Sequence, residues 1–403
     1  MTTYTVLIIL SGLVIFSYLF DLVASKTKLP SVLLLLLLGI GIRLIVDRLH
    51  YATYNFLTIL PTLGTVGLIL IVFEGSLELK YEKNKNKLIK GAFLSALFIL
   101  IGTVSIITFI IYRITGESIY TCFCNAIPFS VVSSAIAIPS AGALRGHSRE
   151  FIIYESSFSD ILGIILFNFC ITNSHISLSS FTGLVFSTSL ILVFSAISCV
   201  LLLYLMGRIS HHIKFFLIIS ILIMVYAIGQ SHHLSSLVLI LAFGLFLNNA
   251  DTINYAYFRT IFIYKNLSND LTQLYQLSAE SAFIVRTFFF VIFGFTMNIY
   301  ELNNLPILSN GLFILITIFG VRWLYLNIFQ KENSGAELYI APRGLVSILL
   351  YYNLPDTLKI PQIGTSFMFM VVLGSSLFMS IGLLLSKRHL PVVDGAHTGK
   401  PEI

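Results

Sequence analysis

The sequence predicts an all-α polytopic membrane protein of about 13 transmembrane helices, arranged as inverted repeats with two broken crossing helices, spans 5 and 12. Three observations predict it. Hydrophobic residues fill 57% of the 403 positions and charged residues only 10%, whereas roughly a quarter of an ordinary soluble domain is charged. Apolar runs of the roughly 20 residues needed to cross a bilayer recur from end to end. Two of those runs carry proline and glycine in mid-course, where a helix in lipid loses backbone hydrogen bonds that only protein or a wet cavity can replace.

Taken in order, the runs cover about 3–24, 30–47, 59–79, 91–113, 119–143, 150–172, 181–206, 213–229, 232–249, 280–299, 306–328, 336–354 and 365–386. The first lacks a basic leader and a small-residue cleavage site, so it reads as a retained span. No soluble domain is expected before, after or between the runs. Span 5 contains Ser133-Ser134-Ala135-Ile136-Ala137-Ile138-Pro139, and span 12 contains Ala341-Pro342-Arg343-Gly344. Unwound backbone is expected at Ser134, Ile138 and Pro139 in the first and at Pro342 and Gly344 in the second. The two spans are seven apart. Because seven is odd, spans 1–6 and 8–13 can be inverted copies, and paired interruptions of this kind point to a transporter's binding site. The long polar connector 250–279 repeats apolar residues at roughly helical spacing (Phe258, Ile261, Phe262, Leu267, Leu271, Leu274, Leu277), as an amphipathic segment on the membrane surface does.

Basic residues orient the spans. Lys26, Lys28, the cluster Lys80 to Lys90, Arg145, Arg149, Arg208, Lys214, Arg259, Lys265, Lys331, Lys387, Arg388 and Lys400 fall on one side. Only Arg43, Arg48, Arg113 and Lys359 fall on the other. The N-terminus is therefore expected outside and the C-terminus in the cytoplasm, in an inner or plasma membrane. This bias explains the net charge of +6 without a nucleic-acid partner. Cys122, Cys124, Cys170 and Cys199 read as packing residues, since Cys122-Phe123-Cys124 has no companion pair for a zinc site. The adjacent histidines His211-His212 and His232-His233 read as surface residues. No nucleophile–base pair or metal cluster has recognisable spacing, so neither catalysis nor a cofactor is expected.

The charges inside the spans carry the functional signal. Asp160 lies in mid-span, where a carboxylate costs several kcal/mol unless paired, protonated or facing water. Such a residue binds a proton or a cation. Glu155 precedes it by five positions, which places the two acids roughly 140° apart and about 7.5 Å along a helix, too divergent for one dyad. Ser156 shares the Asp160 face and offers a hard oxygen for sodium or potassium. Glu155 requires a cationic partner; Arg343 at the span-12 break and Arg322 in span 11 are the candidates, and Glu155–Arg343 is taken as the structural pair. Glu74 reads as an interface or ion-path residue, and Arg286 as a side chain extending toward the cytoplasm.

These motifs resemble the cation/proton antiporter superfamily, in particular its sodium/proton exchanger-like branch, over nearly the whole chain. Lys28-Leu29-Pro30-Ser31-Val32-Leu33 is similar to the family's second-span opening, and Phe73-Glu74-Gly75-Ser76-Leu77-Glu78-Leu79 to its third-span signature. Glu155-Ser156-Ser157-Phe158-Ser159-Asp160 is similar to E-S-x-x-N-D, and Arg343-Gly344-Leu345-Val346-Ser347 to R-G-x-V-S. The resemblance implies that Asp160 alternates between proton and monovalent cation with Ser156 as ligand, and that Glu155–Arg343 braces the core. It also implies a homodimer, with spans 1–3 and 8–10 (about 1–80 and 213–300) as the dimerisation part. Spans 4–6 and 11–13 (about 88–172 and 306–388) form the moving core, span 7 (181–206) links them, and 389–403 is a short tail. Two departures stand out. The family's T-D-P at the span-5 break is set against Ala137-Ile138-Pro139, which lacks the acid, and its asparagine before the aspartate is Ser159 here. Serine is neutral, which favours one-for-one, electroneutral exchange of sodium, potassium or lithium for protons. A non-transporting membrane sensor and a transporter of another solute held by Arg322 and Arg343 are the alternatives.

Overall fold

A backbone inside hydrocarbon has no water to bond, so it must satisfy its own polar groups. The computed structural model describes residues 3–27, 30–49, 59–78, 83–142, 144, 146–173, 214–231, 236–250, 266–297, 305–329 and 335–386, with isolated positions between 189 and 204. Among them every regular element is helical: α1 (Thr3–Thr27), α2 (Ser31–Arg48), α3 (Ile59–Glu78), α4 (Asn86–Thr115), α5 (Ile119–Ser130), α6 (Ser134–Ala141) and α7 (Gly146–Thr172). There follow α8 (Lys214–Ser231), α9 (Ser236–Asn248), α10 (Leu267–Thr296), α11 (Leu305–Phe329), α12 (Leu345–Tyr352) and α13 (Thr365–Ser386), with 3₁₀ turns at Lys83–Lys85 and Glu337–Tyr339. Six described segments, including Ile119–Ala141 as one unit, are long and apolar enough to cross a membrane.

Each predicted span coincides with a described helix or broken-helix pair, except the seventh. Most of residues 181–206 lie outside the described residues, as do the histidine pairs at 211–212 and 232–233 and the tail 389–403. One boundary differs. The connector 250–279 does not extend to the start of span 10, because α10 begins at Leu267 and runs unbroken for 30 residues. The helical periodicity of Leu267 to Leu277 was real, but its face is turned inward: Leu267 and Leu274 are buried, and Leu271 and Leu277 pack against the core. For these residues packing within the protein replaces the membrane surface as the apolar partner, while Phe258, Ile261 and Phe262 lie outside the described residues.

Two sets of helices pack most extensively among themselves. In one, α10 lies on α2 and α3, α3 on α9, and α1 on α2. In the other, α4 packs on α7 and α5, α6 on α7, α11 on α4 and α13, and α12 on α5. The α2–α10 crossing is close because it is lined by glycine. A β-carbon at Gly39 would stand 2.2 Å from the Val291 carbonyl oxygen, and one at Gly294 would stand 2.4 Å from that of Leu36. Small residues let backbones meet where lipid offers no hydrophobic drive for association. A hydrogen bond of 2.6 Å between Ser17 and Thr287 fastens α1 to the same bundle.

Candidate functional site

Where span 5 unwinds, at Val131, Val132 and Ser133, the backbone groups have lost their helical partners and other groups replace them. The Val132 amide donates to Ser159 Oγ (2.9 Å), Ser133 to the Pro342 carbonyl (2.9 Å), and Ser134 to Asp160 Oδ2 (3.1 Å). On the carbonyl side, Arg343 Nε donates to Phe129 (2.7 Å) and Nη2 to Ser130 (3.0 Å), the last two residues of α5. Ser347 Oγ donates to the Val131 carbonyl at 3.4 Å. The span-12 break is held by the same guanidinium, whose Nη1 donates to Ala341 (2.8 Å), while the Arg343 amide donates to Ser375 Oγ (3.0 Å). The two interruptions therefore satisfy each other and cross in direct contact.

That contact fixes Gly344. A β-carbon there would lie 2.7 Å from Ser133 Oγ and 2.8 Å from Ile136 Cδ1, inside ordinary contact distance. We expect Gly344→Ala to cost about 1–3 kcal/mol, the usual range for overpacking, and to reduce any transport that needs these breaks aligned. Unfolding in detergent alongside a flux assay checks both; an unchanged protein would mean that the breaks do not meet as described.

The position of the first break corrects the expectation that Ile138 and Pro139 are unwound. Both lie inside α6, and Ser134 is its first residue rather than part of the gap. Proline's missing amide withdraws a bond from the carbonyl four residues earlier, not from the place where the chain opens. The residue whose amide meets Asp160 at the start of the second half-helix is thus Ser134.

Asp160 is 4% exposed, and its Oδ1 has no hydrogen-bond partner. A carboxylate buried with one amide donor is incompletely satisfied, and a proton or cation completes it. Beside it opens a narrow cavity of about 20 Å³, lined by Ser134, Ser157, Ser76 and Gly75 among apolar walls that include Ile71 and Leu237. The predicted ligand Ser156 is not on that wall. The hydroxyls of Ser156 and Ser157 both donate back along their own helix, to Ile152 (2.8 Å) and Ile153 (2.8 Å) respectively, so it is the lining that separates them. Ser159 also differs in what it touches, since its oxygen accepts from the unwound Val132 amide. Sequence spacing could not separate Ser156 from Ser157, because both lie within about 60° of Asp160 on a helix.

Glu155 does not pair with Arg343. Arg322 takes that place with a two-pronged contact, Nη1 to Oε1 at 3.0 Å and Nη2 to Oε2 at 2.7 Å, with both side chains at most 2% exposed. Ser95 Oγ donates to Glu155 Oε1 (2.6 Å), and Arg322 Nε donates to the Glu337 carbonyl (3.0 Å). One clamp therefore joins α4, α7, α11 and the 3₁₀ turn before the span-12 break. Arg343 is equally buried, but it is occupied by helix-end carbonyls, whose partial negative charge suits a guanidinium.

Two further side chains matter, Glu74, which the sequence left between interface and ion path, and Arg286. Glu74 and Arg286 line a second cavity of about 50 Å³ together with Ser134, Ile138 and Pro139. Arg286 Nη1 donates to the Ala135 carbonyl at 3.3 Å instead of extending away. Both charges were visible in the sequence, but the direction of the helix face that carries Arg286 was not. The four cysteines are buried and free.

Comparison with known proteins adds the following. The family profile described as "Sodium/hydrogen exchanger, transmembrane" matches residues 10–387. The fold is similar to that of the sodium proton antiporter MjNhaP1 from Methanocaldococcus jannaschii at pH 8, with a TM-score of 0.71 and 18% identity over 96% of this chain and 100% of that one. A second structure of MjNhaP1, from electron microscopy, gives a TM-score of 0.66 and 19% identity over 96% and 94% of the two chains. No curated protein matches.

Proposed function

Because this chain belongs to the sodium/hydrogen exchanger family, an integral membrane family of cation/proton antiporters, we propose that it exchanges a monovalent cation for protons by competition at Asp160. The observation that carries this reading is the bare Oδ1 of Asp160 beside a cavity walled by serines. A proton on the carboxylate removes the charge that attracts a cation, and a bound cation expels the proton. One group cannot hold both, so the two fluxes are coupled.

The ligand set we propose is Asp160 with the hydroxyls of Ser134 and Ser157, hard oxygens suited to sodium, lithium or potassium. Ser159 holds the break that presents Ser134, and Ser156 stays outside the cavity wall. With neutral serines at 134 and 159, one carboxylate serves one ion, and exchange is one-for-one and electroneutral. The Glu155–Arg322 clamp keeps its charges paired and away from the cavity, as a structural element.

Alternating access would come from the α4–α7 and α11–α13 set rocking against the set built on α1–α3 and α8–α10, the latter forming a dimer. The preferential packing within each set supports that division. The bias of basic loops supports an N-terminus outside and a C-terminus in the cytoplasm.

The ligand set is tested by comparing two neighbouring serines. Ser157→Ala should raise the cation KM about fivefold, roughly the 1 kcal/mol of one lost polar contact, whereas Ser156→Ala should change it less. The reverse order in a proteoliposome flux assay would return the ligand role to Ser156.

A further inference from the structure

Half-helix α6 contains a defect whose repair crosses the boundary between the two helix sets. Pro139 has no amide hydrogen, so the Ala135 carbonyl lacks its helical donor. Ala135 is 5% exposed, and an unpaired carbonyl in such a place is costly. The donor that replaces the missing amide comes from α10: Arg286 Nη1, 3.3 Å away. The guanidinium also lies 5.9 Å from the Phe283 ring centroid, which limits its freedom. It faces the second cavity, where Glu74 is on the opposite element, and that cavity shares Ile71, Gly75 and Ser134 with the cavity of Asp160.

We propose that Arg286 is a positioning residue for exchange, a latch that holds α6 against α10 and so biases which side of the membrane Asp160 faces. The inference rests on the alternating-access reading above. α10 packs on α2 and α3, while α6 packs on α7, so rocking of one set against the other must stretch this contact. A bond from a charged donor to a buried carbonyl favours the conformation in which it forms. The apparent affinity on each face scales with the fraction of protein open to that face. Loosening the latch therefore raises KM on one face and lowers it on the other.

The test uses purified protein in proteoliposomes of defined orientation, with sodium presented to one face and then to the other. Arg286→Met is expected to change the ratio of the two KM values by about tenfold, the size of one charge-assisted hydrogen bond, with the two constants moving in opposite directions. Pro139→Ala supplies the missing amide to Ala135 while leaving Arg286 intact. It should shift the ratio in the same direction, and the double variant should shift it little further. Should Arg286→Met fail to fold, Pro139→Ala alone still provides the opposed shift. Constants that move together, a change in Vmax alone, or effects that add in the double variant would overturn the latch while leaving exchange intact. Absence of cation-driven flux in the wild type would instead remove the exchange reading, and the latch with it.

Discussion

Asp160→Asn is expected to abolish cation-driven proton movement, leaving flux at the level of empty liposomes. Asparagine keeps the shape and can still accept the Ser134 amide through its oxygen, so α6 stays docked. What disappears is the titratable charge: an amide neither releases a proton when sodium arrives nor attracts sodium when the proton leaves. The expected result is a folded, silent protein in sodium, lithium and potassium alike. Sustained exchange by this variant would show that another group carries the proton.

The second large effect lies in the clamp. Removing one partner of a buried ion pair strands the other charge, at a cost of about 3–5 kcal/mol. Glu155→Gln and Arg322→Met should each destabilise the protein by that order, and the double variant should lose much less than their sum. Arg343→Met should be costly for another reason, because it releases the carbonyls of Phe129, Ser130 and Ala341. Its effect should add to that of Glu155→Gln within about 0.5 kcal/mol, as for residues that share no contact. Denaturant unfolding in detergent, read as a double-mutant cycle, separates the two arginines. Strong coupling of Glu155 to Arg343 instead would contradict the geometry.

What the sequence made legible follows from what hydropathy encodes. Span positions are a matter of apolar length, and the presence of Asp160, Glu155, Arg322 and Arg343 inside them is visible from composition alone. Which arginine meets Glu155 is not, because that depends on the rotation of α11 against α7, and apolar runs on several faces leave rotation undetermined. The break in span 5 was misplaced for a related reason. Pro139 marks a missing amide, but the chain opens at Val131–Ser133, where Ser159, Asp160, Ser347 and Arg343 from other spans supply the replacements. None of those partners is local in sequence. The start of α10 was hidden because a helix packed on protein and one lying on lipid repeat their apolar residues alike.

Competition at a single carboxylate is tested most directly by counting protons released when cation binds to the purified protein. Sodium added to weakly buffered, detergent-solubilised protein across a pH series should release one proton per cation bound where the site is protonated, and none from Asp160→Asn. Cation binding without proton release, or release that persists in Asp160→Asn, would contradict the mechanism.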